Sequence, residues 1–329
     1  MRRPGGGGPP HPAARGRTRG DARGRRRGAH HHRRAGRGRA GGARYGAVSR
    51  PQRKSSQRLP APLSREDAAV YDAHVVPRYS TLFGRLLLQE IPERERLQVL
   101  DVGCGSGYPA LEVMRRLGEG GRVIAVDPDP TLIDLARRRA LDATGRRIFF
   151  KTEGAEQLSF GDEVFDVVTG NLALSSFQQP ERALAELVRV LASGGRLVLT
   201  QALEGTFEEV LDMFREVALK RGEDALVSRV DRIAGRYPAP STLRAIVESA
   251  GFEDVTVRTE DFHLPFESAS QVLTDPALRL IAVPEWRWIA GFDSDGSERL
   301  RQAEQHLDTY FGGGPLTLRV NAGVVTASV

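Results

Sequence analysis

Apolar and polar positions divide the chain near residue 63. Before it apolar residues are almost absent; after it two periods alternate. The stretch "SREDAAVYDAHVVPRYSTLFGRLLLQEI" repeats its apolar residues at helical spacing. Past the polar "PERER" it meets "LQVLDV", a short apolar run that reads as a buried strand. The alternation continues with strand "RVIAVD" (122–127), a helix from about Pro130 to Leu141, strands "RIFFKT" (147–152) and "FDVVTG" (165–170), a helix over "PERALAELVRVL" (180–191) and strand "GRLVLTQA" (195–202). Repeated strand and helix units of this length predict an α/β fold: a doubly wound, mostly parallel sheet with helices on both faces. Its ligand site is expected beyond the carboxyl ends of the strands.

Helical spacing returns over Phe207 to Arg221 and from Ser241 to Ala250, where Gly251 is placed to end the helix in a left-handed conformation. "FEDVTVRT" alternates as a strand, and "PLTLRVNAGVVTASV" is a further strand-like run. The roughly 55 residues between them are too many for a plain hairpin connection. They hold "PALRLIAVPEWRWIAGF" and the helix-like "GSERLRQAEQHLDTYF", and are read as a helical insertion at about 266–312 on the substrate side.

Charge sharpens the division. Residues 1 to 60 carry eighteen Arg or Lys against the single acid Asp21, a net +17. In a chain of net +6 this leaves the remainder at −11. Residues 1–62 therefore form a basic Arg/Gly-rich arm ahead of an acidic domain at 63–329, and the arm has too little apolar surface to offset the entropy of ordering. Three readings of it stay open: a nucleic-acid-binding segment, a solvated tail, and an over-extended start site of GC-rich coding sequence. Its only aromatic is Tyr45, whereas nucleic-acid readers interleave aromatics with charge. His30 to His32 are too isolated to claim as a metal site. The single cysteine, Cys104, excludes an intrachain disulfide and argues against a cysteine-based zinc site. No run approaches the roughly 18 apolar residues of a membrane span, and no apolar stretch follows Arg2 and Arg3 as in a signal peptide, so a cytoplasmic setting is expected.

The chemistry concentrates in "VLDVGCGSGYPALEVM". Gly103, Gly105 and Gly107 follow a strand and precede a helix, where glycine permits a tight turn and close approach of the main chain to a ligand. The helix start behind them favours an anionic group. A dinucleotide fingerprint would need a small residue where Tyr108 stands, which counts against NAD. Asp127 closes the next strand, where a carboxylate can accept both hydroxyls of a ribose; the plainer reading is a turn residue in "DPDP". Together the two signals indicate an adenosine ligand with a short charged end.

Val99 to Gly107 resembles the first motif of class I S-adenosylmethionine-dependent methyltransferases, an acidic residue before G-x-G-x-G. Over about residues 70 to 329, "AVDPDPTLIDLARRRA", "EGAEQLSFGDEVFDVVTGNLALSSF", "PERALAELVRVLASGGRLVLTQ" and "STLRAIVESAGF" continue the pattern in order. The series is similar to that of the small-molecule enzymes of the ubiquinone/menaquinone-biosynthesis type. The resemblance implies a seven-stranded Rossmann-like sheet and transfer of a methyl group from S-adenosylmethionine, leaving S-adenosylhomocysteine, to O, C or N of a small apolar or aromatic metabolite without a metal.

The resemblance further implies a cofactor site of Asp101, Gly103, Cys104, Gly105 and Gly107 at the methionine end, Asp127 and Pro128 at the ribose, and Ala155 and Glu156 along the adenine. Asn171 would face the reaction centre. Gly154 stands where many relatives have an acidic or amide residue, so that adenine contact must come from elsewhere. Tyr71 and Tyr79, on a helix that in relatives folds over the cofactor, could contact the methionine end or the sulfonium; they could also simply pack that helix down. His74 and His263 are the candidates for a proton acceptor, or are solvated. Trp286, Trp288 and Phe292 could line an acceptor pocket or be core. Two other functions stay open: an RNA methyltransferase recruited by the arm, and a catalytically silent cofactor-binding regulator.

Overall fold

The computed structural model describes residues 62–141 and 147–329. The readings of the basic arm fall outside the described residues. Seven strands form one sheet: β1 (Gln98–Val102), β2 (Arg122–Asp127), β3 (Ile148–Thr152), β4 (Phe165–Asn171), β5 (Leu191–Ala202), β6 (Glu253–Phe266) and β7 (Leu316–Ser328), in the order β3-β2-β1-β4-β5-β7-β6. The first five are parallel, with Leu100 opposite Ile124 on one side and Val168 on the other. β7 runs antiparallel to both β5 and β6. This is the mixed, mostly parallel seven-stranded sheet that the sequence predicts.

The continuous apolar runs have the expected cause. Successive residues of β1 point to opposite faces, and both faces are covered. Val99 lies in one core with Phe83, Leu86 and Met114, whereas Leu100 and Val102 lie in the other with Leu184, Leu187 and Val247. The helices that cover them are α1 (Arg65–Val70), α2 (Thr81–Gln89), α3 (Ala110–Arg116), α4 (Pro130–Leu141), α5 (Pro180–Val190), α6 (Glu208–Arg221), α7 (Asp224–Ala234) and α8 (Pro240–Ser249). Gly251 follows α8 at φ +102°, the left-handed stop that its position predicts.

Three features differ from the sequence reading. The first helical stretch is not uniform: between α1 and α2 the backbone widens into a π-helical segment, Tyr71–Ser80, with Pro77 inside it. Proline lacks the N–H for a helical bond and clashes with the turn before it, and a widened turn relieves that clash; the N–H of Thr81 accordingly reaches back to the Val76 carbonyl. Second, α7 follows α6 directly. Third, β6 runs on to Phe266, past the alternating "FEDVTVRT", because β7 pairs with it as far as Leu316. The connection between β6 and β7 is helical: α9 (Ala269–Thr274), α10 (Leu278–Ile281), α11 (Val283–Ala290) and α12 (Gly296–Tyr310). It packs on α6 and α7 and places α10 beside the π-helical segment.

Candidate functional site

The turn between β1 and α3 has Gly103, Gly105 and Gly107 at φ +66°, +54° and +100°, the region only glycine enters without strain. A Cβ on Gly105 would sit 3.0 Å from the Tyr71 hydroxyl, so the third reason for glycine here is the approach of the helix above. The turn is tied to β2 by two bonds: the Cys104 N–H donates to the Val126 carbonyl at 3.0 Å, and the Gly105 N–H donates to Asp127 Oδ2 at 2.9 Å. Asp127 Oδ1 accepts the Asp129 N–H at 2.9 Å. Burial raises the Asp127 carboxyl above its usual range, despite the two N–H donors that pull the other way. The π-helical segment is fastened over the turn through Asp72, whose Oδ1 accepts Ser106 Oγ and the Arg139 guanidinium, each at 2.7 Å.

These elements enclose a cavity of about 410 Å³, within the range of small-ligand sites. Of the residues singled out in the sequence, Tyr71, Tyr79, Gly103, Gly105, Asp127, Pro128 and Asn171 line it. Burial pushes the Tyr71 phenol up to about 12, so it stays protonated. Asn171 is spent on structure: its Nδ2 donates to the Ser80 carbonyl at 3.1 Å and its Oδ1 accepts the Thr200 hydroxyl at 2.8 Å, the capping role rather than a free amide.

The remaining residues are elsewhere. Asp101 is fully buried under the turn, where its Oδ1 accepts the Thr169 hydroxyl at 2.6 Å and its Oδ2 has no partner; burial pushes it up to about 7. Cys104 is buried, and burial raises its thiol. Gly107 faces Ala136 and Leu111 of the neighbouring helices, not the cavity. Ala155 and Glu156 do not line the cavity; Glu156 Oε1 accepts the Gln178 N–H at 2.8 Å and so holds the turn ahead of α5. His74 and His263 are exposed and do not line the cavity: on the π-helical segment it is Val75, Val76, Tyr79 and Ser80 that turn inward, and His263 lies on the edge strand β6. Neither histidine is placed to act as the base. Trp286 is core, edge-on to Phe207 at 5.7 Å; Trp288 lies under the Arg232 guanidinium; Phe292 is 83% exposed. None of the three lines the cavity.

The wall opposite the glycine turn is made by residues that the sequence did not single out. Gln201 near the end of β5 lines it, with its Oε1 buried and without a hydrogen-bond partner among the described residues. Arg236 and Tyr237, just past α7, and Glu285 of α11 complete that wall. Glu285 pairs with the Arg236 guanidinium, and Tyr237 lies beside it. Burial raises the Glu285 carboxyl, with Arg236 opposing. Burial also holds both phenols in the protonated form, Tyr237 with help from the nearby Tyr79 and Glu285, and Tyr79 with help from Glu285. A larger groove, about 770 Å³, runs between α5, α8 and residues 235–239 and shares Ser175, Gln201, Arg236 and Tyr237 with the cavity. The glycine turn and Asp127 open only into the smaller one.

A family model described as a methyltransferase domain matches residues 100–199, from within β1 to within β5. The chain is similar to a demethylmenaquinone methyltransferase of Thermus thermophilus, 33% identical over 204 residues, covering 55% of this chain and 90% of that protein. It is also similar to a ubiquinone/menaquinone biosynthesis C-methyltransferase of Idiomarina loihiensis, 26% identical and covering 64% and 88% of the two chains. Among solved structures, the YcgJ protein of Bacillus subtilis superposes with a TM-score of 0.50 at 20% identity, covering 75% of this chain and 98% of that one. A putative methyltransferase of Bacillus halodurans superposes equally well, at 21% identity and covering 74% and 97%. At these identities the structural likenesses speak for the fold.

Proposed function

The chain belongs to the class I S-adenosylmethionine-dependent methyltransferases, and we propose that it methylates a small aromatic acceptor of the quinol type, the ring named by its relatives. The observation that carries the cofactor placement is the Asp127 carboxylate on the cavity wall, already oriented by the Gly105 and Asp129 N–H groups. A carboxylate offers about four acceptor positions. The two bonds leave capacity for a pair of ribose hydroxyls, so the residues present fit the cofactor.

In this reading Gly103 and Gly105 receive the methionine end, Asp127 and Pro128 the ribose, and Tyr71 covers the methionine end with its protonated phenol. Leu132, which lines the cavity with Asp129, takes the place along the adenine that the family resemblance implied for Ala155 and Glu156. When bound, S-adenosylmethionine supplies a methyl group on a cationic sulfonium, whose departure needs no acid. The protein then has to position the acceptor and exclude water. The π-helical segment serves the second task, because the Asp72 bridge to Ser106 and Arg139 fastens it over the glycine turn.

Among the described residues no cluster of His, Cys, Asp or Glu could hold a metal ion, and no helix is long and apolar enough to cross a membrane. Recruitment of RNA through the arm and catalytic silence draw no support from the relatives. The deciding experiment is calorimetric titration of S-adenosylhomocysteine into the full chain and its Asp127→Ala variant. Loss of charged hydrogen bonds worth roughly 1.5–3 kcal/mol weakens binding about 10- to 150-fold. Equal affinity in a folded variant would overturn the placement of the ribose.

A further inference from the structure

The cavity holds a second charged constellation, opposite the glycine turn and outside the residues that the family model matches. Glu285 comes from the helical connection between β6 and β7, Arg236 and Tyr237 from the loop after α7, and Tyr79 from the π-helical segment. Three separate parts of the chain thus bring a carboxylate, a guanidinium and two phenols to one wall. Glu285 is partly buried and ion-paired with the exposed Arg236 guanidinium, and Tyr237 lies beside it. The ion pair orients the carboxylate while leaving acceptor positions free.

We propose that Glu285 is the group that receives the proton of the methyl acceptor, with Arg236 and Tyr237 as its positioning residues, and that the acceptor presents a neutral, acidic hydroxyl, a phenol or an enol. This rests on the cofactor placement above. The charge balance of the wall selects the acceptor class. Arg236 already neutralises Glu285, so a protonated amine would find no net negative charge here, whereas a hydroxyl finds an oriented carboxylate. Tyr79 and Tyr237 cannot compete for the role, since burial keeps both phenols protonated. The histidines that would have been the ordinary choice lie outside the cavity.

The step balances without a further reactant. The acceptor oxygen, or the ring carbon conjugated to it, forms the bond to the methyl carbon. The carbon–sulfur bond breaks with its electron pair left on sulfur, and the hydroxyl proton passes to a Glu285 carboxylate oxygen. The sulfonium charge and the Glu285 charge are both lost, while the Arg236 guanidinium keeps its own and, being exposed, is solvated by water. The carboxyl of Glu285 is raised by burial, which brings a carboxylate base closer to neutrality, where proton transfer is most efficient. The groups that face it are Arg236, Tyr237 and Tyr79; Asp127, in the same cavity and also raised by burial, changes charge on the acid side of neutrality as well.

The test uses the full chain and, under anaerobic conditions, 1,4-dihydroxynaphthalene as acceptor probe, with Glu285→Gln and Glu285→Asp. Calorimetry with S-adenosylhomocysteine comes first: both variants bind as the parent does, within about twofold, because the cofactor residues are untouched. Loss of that binding in the parent chain would sink the cofactor placement, and this inference with it. With binding intact, Glu285→Gln is expected to lower kcat about 10²- to 10⁴-fold with KM changed only a few-fold. It is also expected to change the acid limb of the pH profile, removing the Glu285 contribution and leaving that of Asp127. Glu285→Asp, which keeps the base, is expected to recover part of kcat. A Glu285→Gln enzyme that keeps its kcat, or whose acid limb is identical to the parent's, would overturn the proton-acceptor role. A parent chain that binds S-adenosylhomocysteine but neither binds nor methylates the dihydroxy probe would overturn the acceptor class.

Discussion

Asp101 offers a quantitative test of the ground beneath the glycine turn. It is the penultimate residue of β1, has no exposure, holds the Thr169 hydroxyl through one oxygen, and leaves the other without a partner. Burial outweighs the Thr169 bond and, with the charge of Asp127, pushes the carboxyl from 3.8 up to about 7. The folded chain therefore holds this proton more tightly than the unfolded chain does. The stabilisation is complete below about pH 4 and is lost as the pH rises towards 7, as the unfolded state gives up the proton first. Asparagine keeps the shape and the Thr169 bond and cannot ionise. At roughly 1.4 kcal/mol per pH unit over the two units from pH 5 to 7, Asp101→Asn should gain about 3 kcal/mol relative to the parent chain over that interval and level off above it. Urea unfolding of both chains without ligand, at half-unit pH steps from 5 to 8.5, measures the difference directly. Carboxylates held low by ion pairs, such as Glu186 and Glu223, titrate equally in both chains and cancel. Two stability curves that run parallel through the interval would refute the reasoning and mean that Asp101 ionises in place.

Four other substitutions test the packing and the extent of the site. Gly84 of α2 receives the Tyr108 ring so closely that an added Cβ would fall 2.3 to 2.6 Å from three of its atoms. Gly84→Ala should cost about 1–3 kcal/mol in thermal or urea unfolding, and the added substitution Tyr108→Ala should return part of it; additive losses would show that the ring is not the obstacle. Trp286→Ala should cost about 3–5 kcal/mol as a core residue, whereas Phe292→Ala, at an exposed site, should leave both stability and S-adenosylhomocysteine affinity unchanged; a loss of affinity with Phe292→Ala would return that residue to the site.

The sheet was legible because parallel strands covered on both faces are apolar for most of their length, as "LQVLDV", "RVIAVD" and "FDVVTG" are. Gly103, Gly105 and Asp127 were legible because backbone geometry and ribose recognition restrict those positions to a few residue types. The misses have physical reasons. Pro77 fits a 3.6-residue pattern at low resolution, so the widened turn leaves no periodicity of its own. The second half of β6 breaks the alternation with exposed charges and Pro265, which an edge strand tolerates. α7 did carry a signal: Leu226, Val230 and Ile233 are its buried stripe at helical spacing. Glu156 was assigned by its place in a motif, whereas its carboxylate is claimed by the Gln178 N–H. Glu285 was invisible as chemistry, because a lone glutamate beside two tryptophans gains meaning only from Arg236 and Tyr237, about fifty residues earlier in the chain.

The place of β7 has a consequence for how the molecule comes into being. It lies between β5 and β6, although it is synthesised after both. While the ribosome works through the helical connection, β5 presents an open flank and the fourteen residues of β6 have no neighbour to bond. Only when Leu316–Ser328 emerges can one segment close both vacancies at once. Assembly of this half of the sheet is thus deferred until Leu316–Ser328 has been translated. Glu285 precedes that closing strand in the chain, so the acceptor wall and the flank of the sheet reach their final form together.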